Sequence, residues 1–216
     1  MKVLDNGHLE VVDSMGNDLT TVNAARVSMG KSSDEFSEKD AKLIKYLAEH
    51  NHTSPFRHSF ISFRWKAPIS VQRQVFTHHQ GISSNSESSR YIEINEEFYV
   101  PEIMRSQSKN NKQGSGEPLD TISHILSKCM YLKACETSFQ QYTKMLDYGV
   151  AREQARDVLP MCTYVSWYWT ASLQAIAHFI NLRSGEGSQW EINQYADAMK
   201  ILTHELFPIS LEALLK

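Results

Sequence analysis

The 216-residue chain changes its hydrophobic period several times, and each change marks an element. Residues 1–13 alternate apolar and polar positions as a short hairpin does, with Asn6-Gly7 as the turn. Over 38–50 the period lengthens. Leu43, Ile44, Tyr46 and Leu47 form an apolar stripe behind Ser37, a residue suited to capping, so the spacing predicts a helix. The run HSFISFRWK at 58–66 returns to alternation, with Phe60, Ser62 and Arg64 on one face of a half-buried strand and Ile61, Phe63 and Trp65 on the other. Pro68 suits the first turn of a helix running through about Thr77, and Phe98, Tyr99 and Val100 read as a short strand before Pro101. The stretch QSKNNKQGSGEP at 107–118 is the one clear polar break, a surface excursion and not a domain boundary. Beyond it the pattern predicts helices over 119–148, 151–159 before Pro160, a strongly apolar 163–182, and an amphipathic 189–206. Strands mixed with helices, followed by helices alone, predict an α+β fold: a small antiparallel sheet packed with helices, a helical C-terminal half, and one domain over 1–216.

Composition narrows the partners. A formal charge of −3 argues against a broad nucleic-acid-binding face, although a local basic pocket fits within such an envelope. No apolar run reaches membrane-spanning length, and the opening MKVLDNGHLEVVD lacks the apolar stretch of a secretory signal, so the expectation is a cytoplasmic protein. Cys129, Cys135 and Cys162 are odd in number and lack CxxC spacing, which leaves buried thiols as the default for all three and predicts neither a disulfide framework nor a cysteine zinc site.

The segment RQVFTHHQGISSNSESSRY at 73–91 carries the densest candidate chemistry. Serine hydroxyls and free backbone N–H groups accept anions, Arg90 offers a charge-assisted fork, and His78 and His79 can donate or accept hydrogen bonds. Serine-rich runs are also common in solvated loops, so the segment alone is ambiguous. Three further groups bear on it. Arg152 and Arg156 stand four apart with Glu153 beside them in GVAREQARDVLP, an arrangement shared by solvated salt-bridging faces. Arg183 closes a very apolar helix before the Ser184-Gly185 turn, where a cation also satisfies terminal carbonyls. His50, His52 and His58 lie near Arg57, without a carboxylate at a metal-ligand spacing.

In chain order, HTSPFRH at 52–58, KAPISVQRQ at 66–74, SxNxxSxRY at 83–91, AREQARDVLP at 151–160, and NLR with QWEI across 181–192 resemble the flavin-dependent thymidylate synthases. The likeness runs from about Ala24 to the C-terminal helix. It implies that family's fold and a reductive methylation of dUMP to dTMP, with the methylene from methylenetetrahydrofolate and the hydride from FAD reduced by NADPH. It also implies a homotetramer whose sites are shared between neighbouring subunits, and no cysteine nucleophile. By the same resemblance Arg183 activates the uracil ring, and Gln74, Thr77, Ser88, Ser89, Arg90 and Arg156 contact dUMP. FAD falls to Ser54, Thr77, His78, His79, Glu87, Ser172, Gln174 and His178, with His52 and Arg57 near the folate and flavin. The Arg183 role is chemically sound beside the resemblance: a guanidinium presents parallel donors to the N3–O4 edge of an ionised uracil, while remaining protonated itself.

The chain departs from the family's pattern. Where an Arg-His-Arg triplet and a short spacer are usual, it reads Thr77-His78-His79 with eight residues before Ser88. Two permanent cations are lost, at about 1–3 kcal/mol for each charged hydrogen bond left unreplaced. The family's glutamate position falls on either Ser86 or Glu87, and Arg57 stands where many relatives carry glutamate. Two rival readings follow. A degenerate relative binds dUMP without turnover, and a metal-dependent nucleotide phosphohydrolase uses His50, His52, His58 and His78 as ligands.

Overall fold

A computed structural model of the chain describes residues 1–109, 114–185 and 187–216. The chain opens with β1 (Lys2–Val3), β2 (Gly7–Met15), α1 (Asp18–Arg26) and α2 (Glu38–Glu49). It continues through β3 (Phe60–Pro68), α3 (Ile69–Val75) and β4 (Ile82–Ser86), then a small hairpin of β5 (Arg105–Gln107) and β6 (Ser115–Pro118). The second half holds α4 (Thr121–Asp147), α5 (Arg152–Ala155), β7 (Tyr164–Ser172), α6 (Leu173–Arg183), α7 (Trp190–Leu206) and α8 (Pro208–Leu214). The main sheet has the order β1-β2-β3-β7-β4, with every pair antiparallel.

The alternation in HSFISFRWK holds. Ile61, Phe63 and Trp65 are buried, whereas Phe60 and Ser62 are partly covered and Arg64 is exposed. Opposite them β7 buries Trp167, Trp169 and Ala171, and α6 and α7 close over this face with Ile176, Phe179, Ile180, Tyr195 and Met199. Trp65 stacks on Trp167 at 5.2 Å and on Tyr195 at 5.3 Å between ring centroids, so strand register and helix docking are fixed by the same indole. The other sheet face is polar, with Ser62 and Thr170 hydroxyls 2.8 Å apart.

Several sequence expectations need correction. The apolar run expected as a helix over 163–182 is split: Tyr164–Ser172 is a strand beside β3, and only Leu173–Arg183 is helical. A run buried on one face and rich in aromatic and β-branched residues suits a central strand as well as a helix. Cys162 therefore precedes a strand, not a helix, and Cys129 is exposed where a buried thiol was expected. The serine loop contains a real edge strand, β4. Phe98 makes only an isolated bridge to Thr163. The polar break supplies one side of the β5–β6 hairpin, with residues 110–113 outside the described ones. α1 and α8, unforeseen in the pattern, lock together where the Asp18 carboxylate accepts the backbone N–H groups of Ile209 and Ser210 at 3.0 and 2.8 Å.

In the first hairpin Val3 pairs with Gly7, so the turn is Leu4–Asn6 and Gly7 already lies in β2. Gly7 is required by close approach. A Cβ there would sit 2.0 Å from the Tyr195 hydroxyl, which donates to the Lys66 carbonyl at 2.6 Å. Gly7→Ala is expected to lower stability by about 1–3 kcal/mol through overpacking, read as a shift in the denaturant midpoint. An unchanged midpoint would show that the Tyr195 ring yields freely.

Candidate active site

Antiparallel pairing determines what the site contains. Ser172 ends β7 opposite Phe60 and receives the Gly81 carbonyl on its N–H at 3.0 Å, so the start of β4 is brought to the start of α6. α6 then places Gln174 and His178 one turn apart, beside Ala175, and ends on Arg183. The last turn of α3 leads into Thr77, His78 and His79 next to it.

Two joined clefts result. One, of about 440 Å³, is lined by Thr77, His78, His79, His178, Leu182 and Arg183 among others. The second, of about 490 Å³, is lined by Arg57, Gln80, Gly81, Ser172, Gln174 and His178. They share Gln80, Ala175 and His178. Arg57 donates to Gln174 and also borders a further depression containing His52 and Ser54. Thus Thr77, His78, His79, Ser172, Gln174, His178 and Arg183 line the two joined clefts, and Ser54 lies in a neighbouring depression bordered by Arg57. His178, which as a lone histidine on an apolar helix could have been a core residue, is exposed to both clefts. Gly81, at φ +70°, lets the chain pack closely on the start of α6: a Cβ there would come within 2.8 Å of Ser172 Oγ.

Arg183 donates from Nε to His78 Nε2 at 3.1 Å and from Nη2 to Thr77 Oγ1 at 3.4 Å, and Thr77 Oγ1 in turn donates to the Gln74 carbonyl at 2.7 Å. Burial pushes the His78 imidazole down to about 4, helped by the positive charge of Arg183 and by the neighbouring His178 and His79. A neutral imidazole is what the contact needs, since Nε2 must accept from the guanidinium. Partial burial also lowers Arg183 from its ordinary value, and it remains protonated.

The sign of the His78 effect on stability follows from the two protonation values. Between its ordinary value of 6.5 and about 4, the unfolded chain binds a proton at this residue and the folded chain does not. Stability contributed by neutral His78 is therefore lost as pH falls through that window. The expected ring titration by NMR has a midpoint near 4; a midpoint above 6 would mean that His78 is not held neutral by its surroundings.

A second cluster lies at the other end of β4. Arg156 donates to Ser89 Oγ at 3.0 Å, Arg90 pairs with Glu153 at 3.3 Å, and Arg152 pairs with Glu93 at 3.1 Å. The arginines of GVAREQARDVLP thus clasp the 88–93 segment instead of forming a purely solvated face. Glu87 and Ser89 line a separate cavity with Arg64, Lys66 and Glu97, and Ser86 accepts from Gln72 at 2.9 Å. Neither candidate for the family's glutamate position lines the Arg183 groove. β4 has five residues, and at about 3.3 Å per residue it holds the two clusters roughly 13 Å apart or more. Within one chain the expected site residues therefore fall into two separate groups.

The four histidines of the metal reading do not converge. His50 and His52 are 6.4 Å apart between ring centroids, and among the described residues no three His, Cys, Asp or Glu side chains could hold a metal ion. Residues missed in the sequence include Gln80 and Gly81, whose role comes from the position of β4. Also missed were Gln189, Glu191 and Arg105. Glu191 is 3% exposed and accepts from Arg105 at 2.6 Å and from Gln189 at 2.7 Å. The signal for Glu191 was a carboxylate in the first turn of an otherwise apolar-faced helix; nothing marked Arg105.

Known proteins resemble this chain over nearly its whole length. Residues 10–209 match the family described as thymidylate synthase complementing protein. A flavin-dependent thymidylate synthase of Thermosipho africanus is 43% identical over 215 residues, covering 100% of this chain and 93% of that protein. One from Thermus thermophilus is 44% identical over 209 residues, covering 96% of this chain and 75% of the relative. Among solved structures, the UMP/dUMP methylase PolB from Streptomyces cacaoi, bound with 5-Br UMP, superposes with a TM-score of 0.87 at 34% identity, over 98% of this chain and 95% of that one.

Proposed function

The chain belongs to the thymidylate synthase complementing protein family, whose relatives are flavin-dependent thymidylate synthases, and we propose that it methylates dUMP reductively to dTMP with methylenetetrahydrofolate as the methylene donor and NADPH as the reductant. The observation that carries this reading is Arg183, oriented by Thr77 and neutral His78 into a groove that Ser172, Gln174 and His178 line.

The groove residues fit a flavin. Arg57 and the histidines supply donors for a heteroatom-rich ring system and an anionic tail. Bound FAD would supply the hydride once reduced by NADPH. Ser54, Thr77, His78, His79, Ser172, Gln174 and His178 would hold it. Arg183 stabilises negative charge over N3 and O4 of uracil, which raises electron density at C5, and it does so without giving up its own proton. Arg156 and Arg90, with Ser88 and Ser89, hold the phosphate, and Gln74 makes a polar contact to the nucleotide. Glu87 stays with this second group.

Because Arg183 and Arg156 lie in separate half-sites, the reading includes a homotetramer in which one chain's uracil arm meets another's phosphate arm. The long helix α4 supports self-association. Ile122, Ile125, Leu126 and Met130 repeat at helical spacing and are all exposed in the single chain.

The first test is titration of the purified protein with FAD, with and without dUMP, followed by NADPH oxidation with dUMP or UMP as substrate. A saturable change in flavin absorbance sharpened by dUMP, with dUMP-dependent oxidation and dTMP formed, is the expected result. Nucleotide binding without turnover would replace this reading by the degenerate one. No flavin binding would end both its cofactor and its mechanism.

A further inference from the structure

Beyond the groove, a partly buried line of side chains leads back to Gln74. Glu191 opens α7 and is almost fully buried, yet its carboxylate has three donors: Arg105 Nη2 at 2.6 Å and the Tyr99 hydroxyl at 3.2 Å on Oε1, and Gln189 Nε2 at 2.7 Å on Oε2. Arg105 is itself steadied by Ser115 Oγ at 2.8 Å and lies over the Trp190 ring at 5.3 Å. A carboxylate held among an arginine, a phenol and an amide accepts only. Gln189 must therefore turn its NH2 toward Glu191, which leaves its Oε1 facing the other way. Gln74 Nε2 donates to that oxygen and, at 3.4 Å, to the Ser70 carbonyl. The amide of Gln74 is thus fixed by polarity as well as by space, with Oε1 as the atom that no described residue engages.

We propose that Glu191 is a positioning residue for the nucleotide site, acting through Gln189 to hold the Gln74 amide in one of its two flip states. The inference rests on the reading of Gln74 as a nucleotide contact. An amide can turn by half a rotation at little steric cost and exchange donor for acceptor, so a lone glutamine at a binding site presents either face. Glu191 removes that ambiguity from two residues away, because a permanent acceptor at the buried end dictates every donor along the line. Arg183 lies close to this line, because its partner Thr77 donates to the Gln74 carbonyl. Ring activation and amide orientation therefore meet at Gln74, through Thr77 on one side and Gln189 on the other.

The test uses the holoenzyme with FAD bound and compares Glu191→Gln, Gln74→Ala and the double variant. An amide at 191 can donate to Gln189 Oε1 and release the relay. Glu191→Gln is expected to raise the dUMP dissociation constant about tenfold while kcat and the FAD spectrum stay close to those of the unaltered enzyme, and the double variant is expected to be no weaker than Gln74→Ala alone. Losses that simply multiply in the double variant would assign Glu191 a general structural role and overturn the inference. Unchanged dUMP affinity in Glu191→Gln, beside a clear loss in Gln74→Ala, would overturn it and leave the reading of Gln74 standing. Unchanged affinity in Gln74→Ala would overturn both that assignment and the relay built on it, and absence of dUMP binding to the unaltered enzyme would defeat the functional reading itself. If Glu191→Gln does not fold, Gln189→Ala cuts the same line while keeping the Glu191–Arg105–Tyr99 group, and must show the same non-additivity with Gln74→Ala.

Discussion

Arg183→Ala is expected to lower turnover by about 10²–10³-fold or more, in the range seen when a single charge-stabilising donor is removed from an active site. Arg183 is the only arginine or lysine among the described residues lining its cleft. No neighbour can take over the task of balancing charge on an ionised ring. His78 cannot, because its environment keeps it neutral at working pH. The fold should survive: the guanidinium is partly exposed at a helix C-terminus, where a cation contributes about 0.3–1 kcal/mol. FAD affinity should change little, since the residues expected to contact the flavin line the rest of the groove. A spectroscopic signature distinguishes this outcome from misfolding. Arg183 is one of the causes that lower His78, so its removal should let the His78 titration rise toward its ordinary value. Arg183→Lys keeps the charge without the paired donors, and is expected to recover little of the rate. Full activity in Arg183→Ala would remove it from the ring-activating role.

How far the sequence disclosed this site depended on whether chemistry or topology placed each residue. β3 was legible because Ile61, Phe63 and Trp65 alternate with more polar neighbours, and α6 announced its end by placing Arg183 before the Gly185 turn. β7 was not. Its neighbours β3 and β4 cover both edges and α6 and α7 cover one face, so Trp167 and Trp169 sit in a run whose apolar content matches a buried helix equally well. Losing β7 hid the geometry of the serine segment, because Ile82–Ser86 becomes a strand only by pairing with it. The groove residues named from family likeness do converge, yet the likeness could not say that Glu87, Ser89 and Arg156 gather at the opposite end of β4. That separation is a consequence of strand rise, not of residue type. Glu191 shows the converse limit: its identity was visible in QWEI, but its partners Arg105 and Tyr99 are 86 and 92 residues away along the chain.

The separation of the half-sites leads to the second large effect. Arg156→Ala is expected to raise the dUMP dissociation constant by about 10–100-fold, the equivalent of one charged hydrogen bond at roughly 1.5–3 kcal/mol, with kcat at saturating dUMP nearly unchanged. A phosphate is gripped equally in ground and transition states, so the loss appears in affinity and not in the chemical step. The variant should also show a shallower dependence of dUMP affinity on salt, because one fixed charge facing the phosphate has gone. Arg156 donates to Ser89 Oγ, and the hydroxyl left behind is only partly buried, so the fold should tolerate the change. Combined with Arg183→Ala, this variant tests where the two arms meet. If each site takes Arg183 from one chain and Arg156 from another, coassembled Arg183→Ala and Arg156→Ala chains in equal amounts rebuild some intact sites, and at low dUMP about a quarter of the unaltered activity should return on random assembly. A site contained within one chain would gain nothing from the mixture, since every chain then lacks one arm. Recovery on mixing would also give the exposed stripe on α4 its purpose, because the arms can meet only across a contact between subunits.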